Sequence, residues 1–418
     1  MKFIDLFAGL GGFHVALNAL GHKCVYACEL NDSLRKIYKK NFNINIDGDI
    51  TKLDIKKIPQ HEILCAGFPC QPFSKAGNSQ GFNHKVAGKM FFYLIQIIKF
   101  HKPKFLFLEN VPNLLYHSQG KTWNFMKKKI LKLGYEVDQK IVSPIDFNIP
   151  QTRNRMYIVA KKNKLNGFTW PKKLKPKNNL KKYLSNNPKL IKEMSEQRKN
   201  AIETWKLFLT KMPKTGYLPN PLWSMEFGAT YPFENTTPLK IKLKELKKMK
   251  GKFGVSFKNM NKKEILENLP NYSKVRTEKY PEWKIKMIKK TRDFYKENKK
   301  WVDKLIPKLI SCKSEAYQKF EWNCQGDKFN FTGKIISFRP SGVRIRRNNS
   351  SPTLISSTTS QVPYLAWKKR FMSYEECLKI QGMEKLKYYP KTNGVFFPAI
   401  GNAVNVKVVY KIGKELFN

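Results

Sequence analysis

The sequence predicts an α/β fold: an open, largely parallel sheet of the nucleotide-binding kind, interrupted by a long basic insertion. Three observations predict it. Short apolar runs alternate with helical patterns through about residue 165. The first run opens directly onto a glycine loop, and the alternation stops at Lys161, to regain pattern only near residue 336. The expected division is therefore 1–165, a distinct 166–335, and a return segment 336–418 that completes the first part.

The elements follow in order. Residues 2–7 read as a first strand, and Ala8-Gly9-Leu10-Gly11-Gly12 as a tight loop. Phe13 to Leu20 carries Phe13, Ala16, Leu17 and Leu20 at helical spacing. Glycines let a backbone approach a ligand, and a helix N-terminus favours negative charge. The dinucleotide pattern GxGxxG would need glycine at position 14, where His14 stands, so a nucleoside cofactor other than a dinucleotide fits better. A second strand, Lys23 to Cys28, ends at Glu29, about 20 residues after the loop and placed for a ribose hydroxyl. A helix from Ser33 to about Phe42 and a turn at Asp47-Gly48-Asp49-Ile50 follow, with Asp49 able to face the same pocket.

The fourth strand, Glu62 to Ala66, delivers Gly67-Phe68-Pro69-Cys70-Gln71-Pro72. Glycine and proline forbid regular structure there, so a stiff turn holds the Cys70 thiol at a strand end, where it can act as a nucleophile. Free cysteines are more often small buried apolar residues, and only the rest of the chain separates the two readings. Residues 75–89 read as a mobile loop, 90–100 as a helix, and Lys104 to Leu108 as a fifth strand ending in Glu109-Asn110-Val111-Pro112. After a helix near 121–133, strands near 135–143 and 155–160 flank Gln151-Thr152-Arg153-Asn154-Arg155, whose two arginines alternate and should point the same way.

From Lys161 the chain is rich in Lys, Asn and Pro, with a linker-like stretch at 171–188 and helices expected at 195–211, 239–250 and 283–310. Trp205, Trp223, Trp283, Trp301 and Trp322 are expected in a core, with base-contacting platforms as the alternative. Near the end come a basic run, Arg344-Ile345-Arg346-Arg347, and a helix from Ser373 to Gln381 with Glu376 at capping-box spacing. Gly401-Asn402-Ala403-Val404-Asn405 then opens a last helix to about Leu416.

Composition narrows the partners. With 80 Lys+Arg against 31 Asp+Glu, the net charge of +49 predicts a polyanion, bound with steep salt dependence, although a Lys-rich bias explains part of it. Hydrophobic residues make up 41%, enough for a core. Seven cysteines at 24, 28, 65, 70, 312, 324 and 377, with no CxxC pair, argue against a disulfide framework and a zinc site and for a reducing compartment. Asp5 and the early glycines make a poor signal peptide, and the run Met90–Ile98 is too short to span a membrane.

These motifs resemble the DNA (cytosine-C5) methyltransferases. Asp5 to Gly12 looks like their cofactor loop, Gly67 to Pro72 their nucleophile motif and Glu109-Asn110-Val111 their glutamate motif. Gln151 to Arg155 looks like their basic motif, and Gly401 to Val404 their C-terminal one. The resemblance covers about 1–165 and 336–418, and 166–335 corresponds in position to the variable target-recognition region. It implies a Rossmann-like S-adenosylmethionine-dependent methyltransferase sheet with an inserted smaller target-recognition domain facing it across a cleft lined by the positive charge.

By resemblance, Cys70 adds to C6 of a flipped-out cytosine and Glu109 contacts N3 and the exocyclic amine. Arg155, with Arg153 second, holds the base carbonyl or nearby backbone. S-adenosyl-L-methionine, leaving as S-adenosyl-L-homocysteine, is expected on Phe7, Ala8, Gly9, Leu10, Gly11, Gly12, Glu29, Leu30, Asp49, Ile50, Gly67, Pro69, Asn402 and Ala403. Phe7 stacks on the adenine, Glu29 binds the ribose, Asp49 reaches the adenine amine, and no metal is expected. The implied partner is double-stranded DNA, with a cognate restriction endonuclease as functional companion, in a monomeric, cytoplasmic prokaryotic protein without membrane attachment. A tRNA methyltransferase and a DNA-binding protein acting by occupancy are the alternatives. A cysteine hydrolase is disfavoured, since it needs neither the glycine loop nor Glu29, although all six histidines precede residue 118.

Overall fold

The computed structural model describes residues 1–69, 87–175, 177, 179–213, 216–354 and 361–418, with backbone only at 87–89. Packing divides the chain into two compact units. One is Met1–Ile191 with Asn349–Thr359 and Met372–Asn418; the other is Lys192–Asn348 with Ser360–Phe371. Residues 166–191 thus pack with the first unit and 336–348 with the second.

The first unit is organised by β1 (Lys2–Leu6), α1 (Gly12–Asn18), β2 (Lys23–Cys28), α2 (Asp32–Phe42), β3 (Ile46–Asp47), β4 (Ile63–Gly67), α3 (Ala87–His101), β5 (Phe105–Asn110), α4 (Asn113–Tyr116), α5 (Lys121–Leu131), β6 (Tyr135–Val142), β7 (Gln151–Thr152) and β8 (Arg155–Lys162). Seven strands form one sheet in the order β3-β2-β1-β4-β5-β8-β6. The first five are mutually parallel, and β8 runs antiparallel to both β5 and β6. Every residue of β5 is buried, as a central strand covered on both faces requires. On one side Leu94, Ile97, Trp123, Met126 and Ile130 pack on Leu6, Leu64, Leu106 and Ile158. On the other, the C-terminal helix Val406–Phe417 lies on α1, so close that a Cβ on Gly413 would meet Leu20 at 2.8 Å. Its Phe417 ring abuts Phe105 and Phe107 at 5.3 and 6.3 Å. The capping box at Ser373 is formed: Glu376 N donates to Ser373 Oγ at 3.2 Å and Ser373 N to Glu376 Oε2 at 2.8 Å.

The second unit holds a six-stranded sheet, in the order Arg370–Phe371, Tyr364–Leu365, Lys334–Arg339, Gly342–Arg347, Lys319–Asn323, Leu222–Trp223. The helix Glu196–Lys211 packs on it, with Trp205 stacked on Phe320 at 4.6 Å. Trp205, Trp223 and Trp322 are core residues, Trp301 is half-buried, and Trp283 is 58% exposed.

Four elements differ from the sequence expectation. The helix expected at 239–250 is a single turn, Leu243–Leu246, after a 3-10 turn at Pro238; Leu239, Ile241 and Met249 reach their core from irregular chain. The helix expected at 283–310 is Glu282–Val302 and then Ile306–Ser311, restarted where Pro307 sits in a first helical turn, the position a proline tolerates. Gly401 and Asn402 end the helix Asn393–Asn402 instead of opening the last one, which starts at Val406 with Asn405 as its cap. The linker-like stretch is tied down: Trp170 Nε1 donates to Asp138 Oδ2 at 2.7 Å, Leu174 N to Asp146 O at 2.9 Å, and Ser185 N to Glu376 Oε1 at 2.8 Å. Of the expected loop 75–89, residues 75–86 lie outside the described residues, and Ala87 already begins α3. No helix among the described residues is long and apolar enough to cross a membrane.

Candidate active site at the sheet edge

Six parallel strands finish at one edge of the first sheet, the edge at which open α/β sheets bind ligands. After β1 the chain turns through Phe7 and Gly9, both left-handed (φ 59° and 55°). Ala8 N donates to Cys28 O at 3.0 Å, which ties the loop to the end of β2. Glu29, just past β2, braces the same loop: Gly9 N donates to its Oε2 at 2.9 Å and Asn31 N to its Oε1 at 2.8 Å. A Cβ built on Gly9 meets nothing within 4 Å, so open space lies over the loop, and the neighbouring Leu30 is 71% exposed. Asp49 Oδ1 accepts from Thr51 N and Oγ1 at 2.9 and 2.8 Å, bonds that hold its carboxyl below the usual range. An open glycine cradle, an exposed apolar side chain and two carboxylates at successive strand ends fit a nucleoside cofactor. Ala8, Leu10, Gly11, Gly12 and Ile50 are buried beneath, Ile50 within the core against which Phe7 packs.

His14 fills the place where a dinucleotide loop would have glycine. It is buried, bonds the Tyr38 hydroxyl at 2.6 Å and stacks on Phe42 at 3.9 Å. Desolvation pushes its pKa down to about 4.

The reactive half lies at β4, β5 and β8. Register pairs Gly67 with Glu109, and β8, running the other way, begins at this edge with Arg155. Glu109 is 6% exposed. Arg155 Nε lies 3.0 Å from Glu109 Oε1, within ion-pair distance but off hydrogen-bond angle, so that oxygen has no well-formed hydrogen bond among the described residues. Burial raises the pKa of Glu109, against the opposing pull of Arg155 and then Arg153. Asn110 Nδ2 donates to Phe68 O at 3.2 Å, linking the glutamate strand to the chain just before the expected nucleophile. Pro69 is exposed, and Cys70 itself lies outside the described residues.

The two arginines do not share a strand face. Arg153 sits in the connection between β7 and β8, 1% exposed, and donates from Nη2 to Ala403 O at 2.8 Å and from Nη1 to Leu354 O at 3.3 Å. Strand alternation does not govern it because it is not in a strand. Its bond to Ala403 anchors the C-terminal motif to the basic one.

That motif closes the site from below. A Cβ on Gly12 would meet Val404 Cγ2 at 2.5 Å, and one on Gly67 would stand 3.8 Å from Glu109 Oε2 and 3.9 Å from Val404 Cγ1. Asn402 is exposed at a helix end, whereas the buried Asn405 holds the turn, donating from Nδ2 to Ile380 O at 2.9 Å and accepting from Val408 N at 3.3 Å. Sequence reasoning passed over Asn405 and Asn110; the signal for Asn405 was an asparagine immediately before an apolar helical run. The five described histidines are engaged elsewhere: His14 as above, His61 with Pro59 O, His101 with Ile55 O, His117 with Thr122, and His22 with the N-terminus.

A sheet of this order, with one antiparallel strand second from its end and a glycine loop after β1, defines the methyltransferase class of α/β fold. The methyltransferase EhMeth of Entamoeba histolytica shares that fold, with a TM-score of 0.53 at 16% identity over 100% of this chain and 98% of that one. The family description "C-5 cytosine-specific DNA methylase" matches residues 1–221 and 227–418, and the chain belongs to that family. The Type II methyltransferase M.HhaI of Haemophilus parahaemolyticus is 43% identical over 174 residues, which is 41% of this chain and 53% of that protein. M.MspI of a Moraxella species is 44% identical over 171 residues, 41% of each chain. The chain spans about half the length of the curated relatives it matches.

Proposed function

We propose that this chain methylates C5 of cytosine within a specific double-stranded DNA sequence, using S-adenosyl-L-methionine. The observation that carries the reading is the convergence, at one sheet edge, of a braced open glycine loop with a buried Glu109–Arg155 pair beside the strand that leads into Cys70. When bound, the cofactor supplies an electrophilic sulfonium methyl. Phe7, Gly9, Glu29, Leu30 and Asp49 line its nucleoside end.

C5 of cytosine is a poor nucleophile until C6 is attacked. The Cys70 thiolate forms a bond to C6, and the C5–C6 π electrons become available at C5. Glu109 faces N3 and the exocyclic amine, where charge develops. Its raised pKa favours the protonated carboxyl that N3 needs as a donor. Arg155 holds Glu109 and the base carbonyl, and Arg153 fixes the Ala403 turn behind them. With the methyl on C5, the C5 proton passes to solvent water, its bonding electrons re-form the C5–C6 double bond, the C6–S bond breaks, and Cys70 leaves as thiolate. The target atom is inaccessible inside a duplex, so the base is flipped out. The second unit reads the sequence, and the Type II names of the relatives support the modification half of a restriction–modification pair.

Labelled methyl transfer to mixed-sequence duplex, followed by bisulfite sequencing, tests this. Protection at one recurring sequence is expected. Incorporation into tRNA but not duplex overturns the substrate. Cys70→Ser should abolish turnover, and normal methylation by that variant would end the covalent mechanism.

A further inference from the structure

The basic run Arg344–Arg347 finds no use in the site above. In the second unit's sheet, Arg344 pairs in register with Glu321 on one side and Ser337 on the other, and Arg346 with Asn323 and Ile335. Side chains alternate faces along a strand. One face therefore carries Glu321, Asn323, Ser337, Arg339, Arg344 and Arg346, with Ile335 buried among them. The other presents Phe320, Trp322, Ile336, Phe338, Val343 and Ile345, all buried at 0–1% exposure.

On the polar face three guanidinium groups share one carboxylate. Glu321 is taken by Arg344, through both Nε and Nη2. Arg339 and Arg346 are half-buried and have no ion pair among the described residues, and Arg339 Nε is buried without a hydrogen-bond partner. Burial, then Arg344 nearby, disfavours the charged form of both. The Ser337 hydroxyl, on a residue 4% exposed and opposite Arg344, is also unpartnered. Among the described residues no carboxylate lies within ion-pair distance of Arg339 or Arg346. Asp327 is engaged by Arg347 and Lys334, and residues 70–86, 176, 178, 214–215 and 355–360 contain neither Asp nor Glu.

Holding unpaired guanidinium groups half out of water beside one another costs stability, which a bound external anion would offset. Arg344 and Arg346 stand two residues apart, about 7 Å along a strand, a span for successive groups on a polymer more than for one small ion. The planar guanidinium fork matches phosphate oxygens.

We infer that Arg339, Arg344 and Arg346 form a clamp on the phosphate backbone of duplex DNA, whose charge Glu321 limits. This rests on the duplex reading above. The clamp sets affinity and register and reads no base.

The test is equilibrium binding of the full chain to a short mixed-sequence duplex between about 50 and 200 mM salt. Arg346→Gln and Arg339→Gln should each weaken binding by about tenfold and lower the log–log salt slope by about one, for every sequence alike. Glu321→Gln should move both quantities the other way. The free Arg346→Gln protein should melt no lower than the parent, because repulsion is relieved, whereas an arginine serving only the fold would lower the midpoint. Arg339→Lys keeps the charge and should keep the slope. Unchanged slopes in both Gln variants, with the parent binding duplex, overturn the clamp alone. A parent that binds no duplex at low salt overturns the clamp and the substrate together, and a slope change confined to tRNA reassigns both to RNA.

Discussion

Each unit buries a glutamate against an arginine, and the two pairs are finished differently. In the second unit Glu226 is fully buried and completely bonded. Arg292 Nε donates to its Oε2 at 2.8 Å, Tyr272 donates its hydroxyl to Oε1 at 2.6 Å, and Tyr231 donates to the same oxygen. Arg292 also donates to Tyr231 O at 2.9 Å and lies over the Tyr231 and Phe233 rings. Glu109 in the first unit has its arginine at ion-pair distance but off angle, one oxygen without a proper donor, and a pKa raised by burial. A glutamate with both oxygens bonded has no acceptor left to offer and serves the fold, although Arg292 Nη2 beside it lacks a partner among the described residues; Glu109 keeps one oxygen without a well-formed bond and so holds capacity for a substrate.

That contrast is broken most directly at Glu226. Glu226→Ala strands Arg292 in the core and should cost about 3–5 kcal/mol of unfolding free energy. Denaturant midpoints measure it, and a loss under about 1 kcal/mol would mean that the bonding of Glu226 does not distinguish it. Glu109→Gln should do the reverse. It keeps the shape, removes the acid, and should lower methyl transfer by about 10²–10³-fold with a much smaller shift in midpoint. Equal losses of stability in the two variants would erase the distinction.

The sheet edge was legible in the sequence because its signals are local. Glycines at 9, 11 and 12, carboxylates at 29 and 49, and Glu109 at the end of an all-apolar run each announce a strand end within a few residues. What escaped depends on contacts remote in sequence. Arg153 reads as a companion of Arg155 until Ala403, at the far end of the chain, accepts its bond. Asn405 matters because Ile380 O lies within reach. In the second unit Leu239, Leu243 and Leu246 carry a helical spacing, but Ile241 and Met249 are drawn into the same small core and only one turn of helix forms. Its arginine face could not be read at all until strand register placed Arg339 beside Arg344, across the turn that Gly342 makes at φ 142°.

Acid gives the smallest and most regional test. Every histidine lies in the first unit, and the second has none. Desolvation lowers His14, and likewise His61, from 6.5 to about 4. Above pH 6.5 both the folded and unfolded chains hold these imidazoles neutral. As pH falls from 6.5 toward 4 the unfolded chain takes up protons that the folded one refuses, so stability is lost across that window and no further below it. By pH 5 His14 alone should cost the first unit about 2 kcal/mol. Amide exchange read separately over β1 and over the strand Lys334–Arg339 measures the two units in one sample. His14 and His61 should lower protection in β1 between pH 7 and 5, once corrected for intrinsic rates, against the opposing gain from the Asp5 carboxyl, whose pKa burial raises, while the strand of the second unit loses none of its protection to histidine. His14→Asn should remove about half of the histidine contribution, so that protection in β1 falls less than in the parent. If the variant leaves that fall unchanged, the buried imidazole beneath the glycine loop is not what makes the first unit sensitive to acid.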